Sequence, residues 1–175
     1  MVSRIQQELK QTRPFGSRTE EAAIALMRTA DLVRRAISTI VEPYGITVQQ
    51  YNVLRILRGA GASGLPTLEI AERMIEQTPG ITRLIDRLEK KRLVIRKRCA
   101  TDRRQVFCRI TPHGLALLAD LDRPILAIDG WALASLRARE VTQLIALLDK
   151  TRKGLSEGVS SRRSENQTKH DSRRN

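Results

Sequence analysis

Aromatic side chains make up only 3% of the 175 residues, and histidine and cysteine occur twice each. With so few rings, a core must rest on Leu, Ile, Val and Ala. Base stacking on exposed aromatics, the usual way to hold single-stranded RNA, has little to draw on. The two histidines, His113 and His170, complete no Ser/His/Asp order and no His-Glu-x-x-His, and no Gly-rich phosphate loop precedes a helix. No catalytic residue is expected. Cys99, Cys108 and His113 lack zinc spacing, so neither a metal nor a cofactor is expected. Two cysteines make no disulfide framework. A hairpin folded about Asp102 sets Cys99 opposite Gln105 rather than Cys108, so both thiols should stay reduced. No apolar run approaches the roughly 20 residues of a membrane helix, and Met1 to Lys10 is too polar for a secretory signal. A cytoplasmic protein with no membrane partner is expected.

What is abundant is positive charge, and it is concentrated. The formal net charge is +13, yet eleven cations and only three anions fall within residues 83–109. A smaller excess, seven cations against three anions, occupies residues 152–175. A folded segment that tolerates this much self-repulsion points to a polyanionic partner.

Periodicity supplies the frame. Residues 1–18 are polar, with Pro14 and Gly16, and read as a flexible arm. Thr19, Glu20 and Glu21 open a helix with apolar residues at Ile24, Met27, Val33, Ile37 and Ile40, ending at Pro43 and Gly45. Thr47 and Gln50 form a capping box, flanked by Ile46 and Tyr51. The helix it opens carries Val53, Leu54 and Leu57 to Gly59. After a Gly-rich loop, Leu65-Pro66 fits a short edge strand. Thr67 is expected to cap a third helix with Leu68, Ala71 and Ile75 facing inward. Thr78 is expected to cap a fourth, about Pro79 to Lys91, with Pro79 at its first position. Ile81, Leu84, Ile85 and Leu88 form its apolar face; Thr82, Arg83, Asp86, Arg87 and Lys90 lie on the other. This is a helix-turn-helix. A hairpin follows: Leu93 to Arg98, a turn at 100–104, and Gln105 to Ile110, with Val106, Cys108 and Ile110 as an apolar row. Thr111-Pro112 starts another helix, in which Pro124 should introduce a kink, and Val141 to Leu148 mark the last. From Ser156 apolar residues nearly vanish, and a disordered tail is expected.

The fold class is therefore mainly α with a small β-hairpin: a winged helix-turn-helix (residues 46–111) framed by an N-terminal helix (19–45) and C-terminal helices (112–155), whose apolar stripes fit either dimerisation or the closing of a monomeric core. The arm (1–18) and basic tail (156–175) lie outside this frame. Four segments in this order, TVQQYNVL (47–54), GITRLIDRLEKK (80–91), TDRR (101–104) and ITPHG (110–114), resemble the MarR family of bacterial transcriptional regulators. The resemblance departs at Arg92, where the family usually has glycine. A left-handed backbone there would cost an arginine about 1–2 kcal/mol.

The resemblance implies duplex DNA as partner. The fourth helix enters the major groove with Thr82 and Arg83 at base edges and Thr78 and Pro79 near a phosphate at its start. Arg87 fits a solvated helix face as well as a DNA contact. The wing reaches the adjacent minor groove, where Arg104 matches the family's wing arginine and Asp102 its orienting partner. Arg103, Arg98 and Lys97 track phosphates. A homodimer on a palindromic operator, most simply a repressor, follows from the resemblance and the apolar outer helices. So does a small aromatic or anionic effector, whose site the residues do not identify; Tyr44, Tyr51 and Trp131 fit core or rim positions equally well. The competing class is a basic RNA-binding or nucleoid-architectural protein without operator specificity.

Overall fold

Serine and threonine caps set most helix starts. Ser17 Oγ accepts from the Glu20 amide (3.0 Å) and opens α2, Arg18–Val41. A 3-10 turn, Glu42–Tyr44, extends it to Gly45, which has a left-handed backbone. Thr47 and Gln50 form the expected capping box: Thr47 Oγ1 accepts from the Gln50 amide (3.2 Å) while Gln50 Oε1 accepts from the Thr47 amide (3.0 Å). It opens α3, Val48–Ala60. The computed structural model describes residues 3–77, 79–98 and 106–171, with side chains as far as Gly158. Before α2 the arm contains a one-turn helix, α1 (Arg4–Glu8), capped by Ser3, with Gln6 buried and donating to the Gln11 carbonyl.

The chain divides into two compact units, Met1–Asp129 and Gly130–Asn175. In the first, β1 (Leu65–Pro66) leads directly into α4, Thr67–Glu72. After a turn comes α5, Ile81–Lys90, then β2 (Val94–Arg98) and β3 (Val106–Ile110). The sheet is antiparallel in the order β1-β3-β2. Leu65 pairs with Cys108, and the β2–β3 ladder runs from Val94–Ile110 to Arg98–Val106, symmetric about position 102. Proline sits on the edge strand, the place in a sheet that tolerates a residue without an N–H donor. Gly64 is required where the loop meets β3: a Cβ there would lie 2.4 Å from the Cys108 carbonyl oxygen.

The core joins Leu54 and Leu57 of α3, Ile70, Ile85, Leu88, Val94, Cys108 and the first half of α6 (Pro112–Leu133) through Leu118 and Leu121. Thr111 caps α6, accepting from the Gly114 amide (3.0 Å) and donating to the Arg92 carbonyl (2.7 Å). The Thr-Pro start expected here is present, and α6 continues through Pro124. Arg58 of α3 forks onto both oxygens of Asp122 (2.9 and 2.8 Å), tying α3 to α6. In the second unit, α7 runs from Ala138 to Asp171, past Ser156, where composition predicted the ordered chain to end. Near this point Lys153 and Glu157, four residues apart, form an ion pair on the helix surface.

Three local expectations need correction. The buried residues here are Ile70 of α4 and Met74 just past its end, whereas Leu68 and Ile75 are 72% and 79% exposed. The helix ends at Glu72, so Met74 and Ile75 follow it in non-helical backbone and do not continue its apolar spacing. Nor does α5 begin at Pro79. Gly80, at φ 91°, is its N-cap, and Pro79 belongs to the preceding turn. A left-handed cap of this kind favours glycine, which overrides the Thr-Pro signal. Thr67 makes no side-chain cap bond either; Pro66 holds that position.

Candidate nucleic-acid interface

α5 is ten residues long, about 15 Å at a rise of roughly 1.5 Å per residue. Ile85 and Leu88 sink into the core and Thr82, Arg83, Arg87 and Lys90 stay exposed. Two polar side chains of α3 position its approach. The Asn52 carboxamide oxygen accepts from the Ile75 amide (2.9 Å), and Gln49 donates to Glu76 (3.1 Å), so the turn between α4 and α5 is pinned from behind. Thr82 stands at the lip of an open groove that Pro66, Leu68, Glu72 and Val106 also line.

The helix ends in a two-bond C-terminal cap. Arg92, at φ 58°, donates its amide to Glu89 (2.8 Å) and Leu93 donates to Leu88 (3.0 Å), with Leu93 buried beneath. This is a Schellman motif with arginine at the left-handed position usually held by glycine. The left-handed backbone on which the cost of this arginine depends is present.

Alternation along the hairpin distributes its cations. Val94, Arg96 and Arg98 share one face with Ile110, Cys108 and Val106 opposite them, and Ile95 and Lys97 point the other way. Lys97 and Arg98 are both exposed, on opposite faces of the ribbon. Among the described residues, the side chains of Arg83, Arg87, Lys97 and Arg98 have no hydrogen-bond or carboxylate partner. Thr78, Asp102, Arg103 and Arg104 lie outside the described residues, as does Cys99.

One residue of the interface escaped the sequence reading. Arg96 bonds Asp86 (2.6 Å), Glu89 (3.1 Å) and the Thr82 carbonyl (3.2 Å) through its guanidinium, and its amide donates to Glu89 (3.2 Å). Burial opposes its charge, but the hydrogen bond and charge of Asp86, joined by Glu89, hold its pKa above the ordinary value. The available signal was a cation inside the apolar row of the wing, facing a helix with acids three residues apart. Of the aromatics, Tyr51 is a core residue that burial pushes up in pKa, with Arg55 over its ring, while Tyr44 is exposed. Trp131, in the second unit, is 76% exposed.

Residues 46–106 match the family model described as MarR family. A MarR transcription factor from Planctomyces limnophilus, of known structure, is 40% identical, covers 78% of this chain with 98% of its own, and superposes with a TM-score of 0.60. The chain belongs to the MarR family. The HTH-type transcriptional regulator MhqR of Bacillus subtilis is 32% identical over 98 residues, 56% of this chain and 66% of that regulator. The fold also matches the MepR–DNA complex of S. aureus, at TM-score 0.70 and 22% identity over 75% of this chain and 96% of MepR. The protein is thus a MarR-family transcriptional regulator that binds DNA, and not an enzyme. Among the described residues no helix is long and apolar enough to cross a membrane.

Proposed function

We propose that the protein is a cytoplasmic homodimeric repressor that reads a palindromic duplex, α5 in the major groove and the β2–β3 wing in the adjacent minor groove. The observation that carries this reading is the set of unpaired cations: Arg83 and Arg87 on α5, Lys97 and Arg98 on the wing. Charges with carboxylate partners would gain little from phosphate, whereas free ones release counterions when they meet it. Thr82 and Arg83 lie on the first turn of α5 and face base edges, Arg83 through two bonds to a guanine. Thr78 and Pro79 pass the backbone beside the helix start. Lys97 and Arg98, on opposite faces of the ribbon, meet phosphates on either side of the groove, with Arg103 alongside. Arg104 enters the minor groove and Asp102 holds its turn.

Dimerisation rests on apolar surface that one chain leaves uncovered, including Met27, Leu126, Trp131 and Leu155. Repression is the simplest outcome, because a dimer lying over a promoter blocks polymerase with no further contact. A small aromatic or anionic effector relieves binding.

A mobility-shift competition among duplex DNA, single-stranded DNA and RNA tests the partner. Equal competition by RNA would favour the architectural alternative. Footprinting upstream of the protein's own coding region, with and without phenolic ligands, tests operator and effector. Light scattering at micromolar concentration should give a dimer mass, and a monomer mass would refute the twofold arrangement.

A further inference from the structure

We propose that Arg96 is a positioning residue that locks the wing to the recognition helix, so that the two grooves are read as one unit. It also cancels the two acids that α5 would otherwise present to phosphate. This rests on the DNA reading above and adds a residue to it.

The ladder explains why such a lock is needed. β1 supports β3 only at Cys108 and Phe107, so beyond them the described ribbon is two-stranded. A two-stranded ribbon is free to twist and swing about its root. Arg96 stands at that root, opposite Cys108, with its side chain only 24% exposed. Its partners Thr82, Asp86 and Glu89 follow at intervals of four and three residues, so they line one face of α5 over two turns. A planar guanidinium with five donors can span them; a lysine ammonium is a point charge that cannot.

The electrostatic role is separate. Asp86 and Glu89 lie on the polar side of α5 and stay partly exposed. Unpaired, they would repel the backbone that Arg83 and Arg87 approach. Among the described residues, no other cation of the 83–109 segment has a carboxylate partner. Arg96 therefore serves the interface by staying off the DNA.

The test uses the full chain with Arg96→Lys and, separately, the double variant Asp86→Asn/Glu89→Gln. In the free protein, hydrogen exchange at β2 and β3 amides should quicken by about tenfold in Arg96→Lys while α3 amides keep their protection. Unchanged wing exchange overturns the lock whether or not the protein binds DNA, and thermal unfolding confirms that the variant is folded. On DNA, Arg96→Lys should lose on the order of tenfold in operator affinity and much less on random duplex. Arg83→Ala and Arg98→Ala should be non-additive in the parent protein and additive in Arg96→Lys. The double variant should bind random duplex more tightly but with a smaller operator-to-random ratio. Were Arg96 instead a direct phosphate contact, freeing it by this double change would raise operator affinity with the ratio intact. That result, or unchanged coupling between Arg83 and Arg98, overturns the proposal. If the parent protein shows no preference for duplex DNA, the DNA reading fails, and the exchange experiment still decides the lock.

Discussion

The winged-helix body and the outer helices use the same aliphatic residues to opposite ends. In the body, Leu54, Leu57, Ile70, Ile85 and Leu88 have no solvent exposure at all. On the outer helices, Met27 of α2, Leu126 of α6 and Leu155 of α7 are each more than 60% exposed. The body closes its core within one chain. The outer helices carry apolar surface that their own chain does not cover, and a long helix with such a face is stable only where something covers it. A helical apolar stripe therefore reports that a face will be buried, and leaves open by whom.

Two substitutions of similar chemistry should separate these roles. Leu57→Ala removes a fully buried side chain from α3 and should cost about 2–5 kcal/mol by denaturant unfolding, the range for large-to-small core changes. That loss should not depend on protein concentration. Met27→Glu should leave the body's intrinsic stability within about 0.5 kcal/mol, as exposed positions generally do, while weakening self-association in sedimentation experiments. An unchanged association constant would mean that the exposed face of α2 is not an interface, and the comparison between the two regions would lose its meaning.

Within the body the contrast narrows to single arginines. Arg83 is exposed and unpaired among the described residues, whereas Arg58 is committed to Asp122. Arg83→Ala should cost about 1–3 kcal/mol at the operator and relax preference at one base pair, as judged by titrations against a set of single-base operator variants. A uniform loss across all sequences would instead assign Arg83 to the backbone.

How much of this was legible depended on how far each feature is set by its neighbours in sequence. The capping box at Thr47, the cap at Thr111, the edge strand at Leu65-Pro66 and a ladder centred on position 102 are local, and each stands where the residues put it. α4 is different. Six residues are fewer than two turns, Met74 and Ile75 already lie past the helix end, and the spacing of Leu68, Ala71 and Ile75 has no advantage over that of Ile70 and Met74. The start of α5 misled for a related reason. Thr78-Pro79 and Thr111-Pro112 carry the same signal, but only the first pair is followed by a glycine able to take φ 91°. The Arg96 grip was beyond local reading, since its partners precede it by seven to fourteen residues and meet it only once the hairpin folds back. Of the proposed contacts, Thr78, Asp102, Arg103 and Arg104 rest on sequence alone.

Arg92 offers a smaller and sharper test. Its left-handed backbone, the bond from its amide to Glu89 and the bond from Leu93 to Leu88 make a cap that glycine would occupy without strain. Arg92→Gly should therefore stabilise the fold by about 1 kcal/mol, less the extra freedom glycine brings to the unfolded chain, and raise Tm by roughly 2–4 °C. If the arginine is retained for its charge, the same variant should bind DNA more weakly and with a shallower salt dependence. A variant that is neither more stable nor weaker in binding would leave the side chain with no role in either region.

The smallest effect belongs to Lys97. Its side chain lies on the face of the wing opposite Arg96 and Arg98, exposed, where it can meet phosphate but cannot join the lock to α5. Lys97→Ala should weaken every duplex by about the same factor, leave operator preference intact, and flatten the slope of log affinity against log salt by ~1. Titrations at several salt concentrations, on operator and random duplex in parallel, read both quantities at once. Arg98→Ala, one residue further along and on the other face, should produce a similar loss of slope together with some loss of preference, because its face is the one turned toward α5. A Lys97 variant that altered preference while leaving the slope unchanged would mean that the two faces of the ribbon do not divide their work in this way.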